Sequence, residues 1–234
     1  MREKKADVLV ITPHPDDAEF GAAGSVVNLV RQGKTVVYIV CTNGNKGTDD
    51  PHLKPEKLAE IREKEQREAA NILGVREVCF LGYPDQSLED TPEFRKEIVR
   101  CIRLFRPELV ITSDPYRRYV WHRDHRVVGQ VVLDAVFPYA RDVWAYPDLV
   151  EEGLNPHKVK EVWLWACEEK DINFRSDITS SFDLKVKALY CHQSQIKKTF
   201  AAEMERWLCQ RAKDMAGGEK FKLAEGFHRV EIWW

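Results

Sequence analysis

Two short segments of the chain concentrate side chains that can grip a metal ion. The first reads Thr12-Pro13-His14-Pro15-Asp16-Asp17-Ala18-Glu19. His14 and Asp17 stand three residues apart across a turn that two prolines stiffen by fixing backbone φ. Both can therefore reach one ion, and zinc accepts an imidazole and a carboxylate together. Asp16, between them, can point beside the ion rather than at it. The plain alternative is a helix N-terminus, where Asp caps and acidic residues favour the first turn. It accounts for one carboxylate, but not for a histidine, two prolines and three acidic groups together. Carboxylates alone would also suit calcium, and His14 argues against so hard a cation.

The second segment reads Trp121-His122-Arg123-Asp124-His125-Arg126. Two histidines three apart face the same way on a turn or first helical turn. One can complete a His/Asp/His metal triad, and the other can stand near the ion as a charged or hydrogen-bonding group. Asp124 is suited to hold an imidazole in one tautomer and orientation. The His-Arg-Asp tripeptide also opens a protein-kinase catalytic loop, but that loop needs an Asn five residues after the Asp. Gly129 stands there, and no GxGxxG loop precedes it.

The elements that must position these segments alternate. Apolar, β-branched runs predict strands over 8–12, 35–41, 77–81, 109–112 and 162–166. Helical spacing predicts helices over 21–33, 55–73, 92–105, from near His125, over 184–191 and over 201–215. Pro55 near the start and Gly74 just past the end bracket the second helix. This order implies right-handed crossovers and an α/β, Rossmann-like, mostly parallel sheet with helices on both faces. Gly217-Gly218 reads as a turn before a C-terminal segment. In such sheets ligands bind outside the carboxyl ends of the strands. The loops at that edge are 13–19, 42–48, 82–87 and 113–125, and the densest His and Asp clusters fall in the first and last.

At 234 residues with 44% hydrophobic content, the chain predicts one domain over 1–234, its irregular part from about 150 completing the site. The net charge of −2 and the lack of any basic block predict no nucleic-acid or anionic-membrane partner. Six cysteines without a CxxC pair read as reduced thiols. No signal-peptide core and no apolar run near ~20 residues is present, so the expectation is a cytoplasmic protein without a transmembrane segment.

The pair HPDDxE near the start and HxDH about halfway along resembles the PIG-L/LmbE-like deacetylases. The likeness extends to Thr42-Asn43-Gly44 with Gly47, to Arg62, Glu65, Ala69-Ala70 and Leu73-Gly74-Val75, to His192-Gln193-Ser194-Gln195, and to Gly226-Phe227. The resemblance implies a Rossmann-like deacetylase domain that removes an acetyl group from an N-acetylated amino sugar, of N-acetylglucosamine type, or its conjugate. It implies that His14, Asp17 and His125 bind Zn2+, with Fe2+ or Co2+ able to take the same ligands. Asp16 would be the general base, a protonated His122 would assist the oxyanion or leaving group, and Asp124 would support a histidine. Three protein ligands leave one position for water, the mark of a catalytic zinc. Some members carry a tyrosine two residues before HxDH; here that position is Val120, with Tyr119 beside it.

Weaker candidates surround this set. Arg62 can reach sugar hydroxyls or form a solvated pair with Glu65. Asn43 and Lys46 can touch substrate or close a turn, and His192 can approach the site or be packed. Trp121 is the better stacking candidate for a sugar face, while Trp163 and Trp165 lie in an apolar strand and read as core. Trp233 and Trp234 suggest a homo-oligomer contact. Three other functions compete: an amidase of a larger acyl conjugate, a nucleotide binder, and a metal-binding protein without catalysis. Against the nucleotide binder, Phe20-Gly21-Ala22-Ala23-Gly24 has only GxxG.

Overall fold

The computed structural model describes residues 4–196 and 201–233. Its scaffold is a run of buried, β-branched strands: β1 (Val8–Thr12), β2 (Val36–Thr42), β3 (Glu77–Tyr83), β4 (Leu109–Ser113) and β5 (Glu161–Trp165). Every residue of β1, β2 and β4 is buried, as strands covered on both faces require. Two later strands, β6 (Phe174–Asp177) and β7 (Ala224–Glu231), complete one seven-stranded sheet in the order β3-β2-β1-β4-β5-β7-β6. β1 to β5 pair in parallel, and β7 runs antiparallel to both β5 and β6.

The helices are α1 (Asp17–Arg31), α2 (Pro55–Leu73), α3 (Pro92–Phe105), α4 (Arg123–Asp134), α5 (Pro147–Glu151), α6 (Phe182–Leu189) and α7 (Ala201–Ala216). Alternate strand residues face alternate layers. Leu9, Ile11, Val37 and Ile39 pack with Ile98 and Ile102 of α3 and Val131 of α4. Val8, Val10, Val36 and Tyr38 pack with Ala22 and Val26 of α1 and Ala69 of α2. A third cluster joins Phe182 and Val186 of α6 to Leu208 and Ala212 of α7.

Local signals place most boundaries. Pro55 opens α2 and Gly74, at φ 77°, ends it. Thr91 caps α3, its Oγ1 accepting from the Phe94 N–H at 3.2 Å. Trp163 and Trp165 are buried, 8% and 4% exposed, as their apolar strand predicts. α1 begins at Asp17, four residues before the expected start, so the HPDD segment runs straight into its first turn. The segment after Gly217-Gly218 is β7, which inserts between β5 and β6. Gly226 within it speaks against a strand by composition, yet a Cβ there would meet Met215 Sδ at 2.2 Å, so the glycine lets α7 close on the sheet. Trp233 is 80% exposed; Trp234 lies outside the described residues. Among the described residues no helix is long and apolar enough to cross a membrane, and the six cysteines are free.

Strand order reverses between β1 and β4, which opens a crevice above their carboxyl ends. The first segment leaves β1 and the second follows β4, so both metal-type clusters meet there. Close packing holds the second in place. A Cβ on Gly129 of α4 would lie 2.4 Å from Ser113 O and 2.9 Å from Pro115 Cδ. Gly129→Ala is therefore expected to lever α4 from the end of β4 and destabilise the fold by roughly 1–3 kcal/mol. Thermal unfolding checks this, and an unchanged Tm contradicts it.

Candidate active site

Asp17 Oδ2 is the centre of the cluster. It accepts the His14 main-chain N–H at 2.9 Å and lies 2.9 Å from His14 Nδ1 and 3.1 Å from His125 Nε2. His14 comes from the turn after β1, Asp17 from the first residue of α1 and His125 from the first turn of α4. Ligand atoms of His14, His122 and His125 also lie within 4.8 Å of one another, as do those of His14, Asp85, His122 and Asp124. The 2.9 and 3.1 Å separations about Asp17 come close to the ~3.3 Å edge of a tetrahedron with arms of ~2.0–2.1 Å. Buried Asp124 Oδ1 and His125 Nδ1 have no hydrogen-bond partner among the described residues. A mixed nitrogen and carboxylate donor set with polar atoms left unpaired fits a divalent cation.

The far side of His14 is as acidic as the near side. Its Nε2 lies 3.2 Å from Asp124 Oδ2 and 3.0 Å from Asp85 Oδ1. Burial opposes charge on this imidazole, but hydrogen bonds to Asp124, Asp17 and Asp85 outweigh it and the pKa is pushed up to about 12. The same contacts hold Asp124 and Asp85 below the ordinary carboxylate range against their burial. For Asp17, burial is outweighed first by His125 and then by His14, and its pKa falls well below the usual value. The proton on His14 Nδ1 occupies the side facing Asp17 and His125, where a cation would bind, while Nε2–H stays directed at Asp124 and Asp85.

His122 caps α4: its Nδ1 accepts the Asp124 main-chain N–H at 3.1 Å. That bond leaves the neutral ring's proton on Nε2. Burial, then the His14 charge, lowers the His122 pKa below its ordinary value. Both effects favour the neutral ring, which presents Nε2–H as a donor, over the expected imidazolium, and a cation on the neighbouring ligands would push in the same direction.

Asp16 adopts φ 94°, the left-handed region, which is strained for a residue other than glycine. Helix α2 holds it there. Gln66 Oε1 accepts the Asp16 N–H at 2.9 Å, and Arg62 Nη2 donates to Pro15 O at 2.5 Å and to Asp16 Oδ2 at 3.2 Å. Burial pushes the Asp16 pKa up to about 6, although Arg62 pulls the other way. Gln66 Nε2 donates onward to Glu19 Oε1 at 2.9 Å, and Glu19 Oε2 lies 3.4 Å from His192 Nε2. Glu19, Gln66 and His192 are all fully buried.

Several expected substrate contacts are differently employed. Arg62 is 4% exposed, and besides Asp16 and Pro15 it donates to Gly44 O at 3.0 Å. Its Nε is also buried and has no hydrogen-bond partner among the described residues. His192 is sealed behind Glu19 and does not face the crevice; burial opposes its charge, but Glu19 outweighs this and raises its pKa. Asn43 Oδ1 accepts the Asn45 N–H at 3.2 Å, which closes its own turn. Lys46, Tyr119 and Val120 are exposed. Trp121 stands edge-on to His125 with centroids 4.4 Å apart. It lines a cavity of about 260 Å3 that starts at Asp17 and His125 and runs beneath α7.

Two contributors escaped the sequence reading. Asp85 lies in the 82–87 loop, which the strand-end rule marked, but Pro84-Asp85 reads as ordinary turn chemistry. Gln66 sits four residues after Arg62 on the buried face of α2, where an amide among apolar and small residues was the available signal.

Residues 9–136 match the family described as PIG-L, GlcNAc-PI de-N-acetylase. The diacetylchitobiose deacetylase of Thermococcus kodakarensis is 37% identical over 188 residues, covering 80% of this chain and 69% of that protein. A Bacillus anthracis protein described as "Probable N-acetyl-alpha-D-glucosaminyl L-malate deacetylase 2" is 37% identical over 210 residues, with 85% of each chain covered. The N,N'-diacetylchitobiose deacetylase of Pyrococcus horikoshii, solved with its inhibitor, superposes with a TM-score of 0.90 at 32% identity, covering 98% of this chain and 85% of that one. With the family match spanning more than half of the sequence, and two relatives this similar over most of their length, the chain belongs to the PIG-L family of de-N-acetylases.

Proposed function

We propose that the protein is a zinc-dependent hydrolase that removes the acetyl group from an N-acetylated amino sugar, of N-acetylglucosamine type, or its conjugate. The observation that carries this reading is Asp17 Oδ2 bridging His14 and His125 beside the strained Asp16, at the head of a cavity. Relatives whose names specify deacetylation of diacetylchitobiose and of a glucosaminyl malate support it. His14, Asp17 and His125 would hold the ion, with Asp124 and Asp85 fixing His14 from behind. Fe2+ or Co2+ suits the same donors. Trp233, 80% exposed, supports a homo-oligomer.

A divalent ion bound there supplies a Lewis acid for the acetyl carbonyl and brings the pKa of water from ~16 to about 7. The chain's own groups do the rest. Asp16, with a pKa of about 6, accepts a proton from the attacking water near neutral pH. His122 Nε2–H donates to the carbonyl oxygen as negative charge develops on it. The new C–O bond forms, the amide C–N bond breaks, and Asp16 returns the proton to the departing amine. Acetate and the free amine leave.

Two outcomes follow. Asp16→Asn lowers acetate release from N-acetylglucosaminides by about 10²–10⁴-fold, the usual range for a lost acid–base group, while zinc content measured by mass spectrometry stays near one per chain. Asp17→Ala loses the zinc itself. Full activity in Asp16→Asn, or full zinc in Asp17→Ala, contradicts the assignment.

A further outcome concerns pH. Zinc must displace the His14 Nδ1 proton, and with a pKa of about 12 that proton is bound throughout the neutral range. Apparent zinc affinity therefore rises about tenfold per pH unit between about 6 and 9. A histidine at its ordinary ~6.5 would release its proton by about pH 7.5 and level off. Chelator competition across this range distinguishes the two, and a plateau above neutrality contradicts the account.

A further inference from the structure

Three cationic side chains line the cavity that begins at Asp17 and His125: Lys185, Arg117 and Arg211. Lys185 is already engaged. It is 4% exposed, its Nζ lies 2.6 Å from Glu225 Oε1, and it donates to Phe20 O at 2.8 Å. Arg117 and Arg211 are not: neither has an ion pair or hydrogen bond to a carboxylate among the described residues. Other arginines of the chain do, including Arg62 with Asp16, Arg67 with Glu63, Arg100 with Glu152 and even the adjacent Arg118 with Glu168.

Each unpaired guanidinium lies instead against an indole. Arg117 Cζ is 4.5 Å from the Trp121 ring centroid, and Arg211 Cζ is 5.4 Å from that of Trp207. Trp121 touches His125, so His125, Trp121 and Arg117 form one continuous wall leading away from the reacting centre. Arg211 enters from α7. Partial burial, and then the Arg117 charge, hold the Arg211 guanidinium below its ordinary range, so the two cations feel each other across this space. Both arginines are exposed where they line the cavity, and an anion between two such like charges gains from both.

We infer that Arg117 and Arg211 form an anion subsite, and that the substrate carries a carboxylate or phosphate on the part remote from its acetamide group. This rests on the deacetylase reading of the metal cluster and adds the substrate class to it. The indoles of Trp121 and Trp207 hold the guanidinium planes and leave their edges free for the oxyacid.

The test uses the full chain, zinc-loaded, and three N-acetylglucosaminides: the neutral methyl glycoside, the L-malate glycoside and the 1-phosphate. Acetate release gives kcat/KM for each. An anionic substrate is expected to exceed the neutral one by roughly ten- to hundredfold, the effect of one or two charge-assisted hydrogen bonds. The better of the two anions tells carboxylate from phosphate. In Arg117→Gln/Arg211→Gln the anionic-to-neutral ratio falls towards one, whereas general damage lowers both values together; Arg211→Lys retains part of the preference. Calorimetry with the corresponding deacetylated glucosaminides reads the same ratio as affinity, without turnover. Equal or better use of the neutral glycoside, or a ratio unchanged in the double variant, overturns the inference while leaving deacetylation intact. No acetate from any of the three overturns the deacetylase reading, and the calorimetric ratio then decides on the arginines alone.

Discussion

Everything at the sheet edge follows from one electrostatic constraint: three carboxylates, Asp17, Asp85 and Asp124, converge on the two nitrogens of a single buried imidazole. Buried carboxylates repel one another and need a cation among them. A protonated His14 provides one. A metal on the Nδ1 side would provide it better, because it would also engage His125, while Nε2–H would stay with the carboxylates behind. The reversal of strand order between β1 and β4 makes this convergence possible, since it leaves the ends of two neighbouring strands uncovered and aims their loops at each other.

The proposed base, Asp16, is governed by a second device, built from α2. A carboxylate one residue from a ligand must be turned away from the ion without being carried out of the site. The left-handed backbone at Asp16 does this, and Gln66 and Arg62 hold the strained turn with bonds to its N–H, to its carboxylate and to the preceding carbonyl. The long helix is thereby tied to the proposed base through residues that need not touch substrate. Behind it, Glu19 and His192 complete a buried polar row in which each group constrains the next.

The fold was legible from sequence to the extent that local rules decide it. α2 and α3 occupy the expected ranges because a proline starts each, and a glycine in left-handed conformation ends α2. β1 matches because its apolar run is short, rich in β-branched residues and closed by Pro13. β7 was not legible: Gly226 and the polar residues around it give no period-2 signal, and α7 packing decides its place. In the site, His14 and Asp17 with one of His122 and His125 were legible as residue types at metal-ligand spacing, His125 was singled out by the family resemblance, and the structure places all three beside one another. Asp85 was hidden by its turn. Arg62 and His192 were read as substrate candidates, with a solvated pair and a packed histidine as the alternatives, and their burial and partner choice are tertiary facts that a single sequence does not contain. The state of His122 depends on one hydrogen bond at a helix N-terminus and on the charge of His14, neither of which spacing conveys.

X-ray absorption at the zinc edge of the purified, zinc-loaded protein examines the central cluster directly. The account predicts imidazole scattering from two histidines and light-atom neighbours at ~2.0–2.1 Å, with no sulfur shell. Sulfur scatterers at ~2.3 Å, or a first shell without imidazole, would place the metal elsewhere and contradict it.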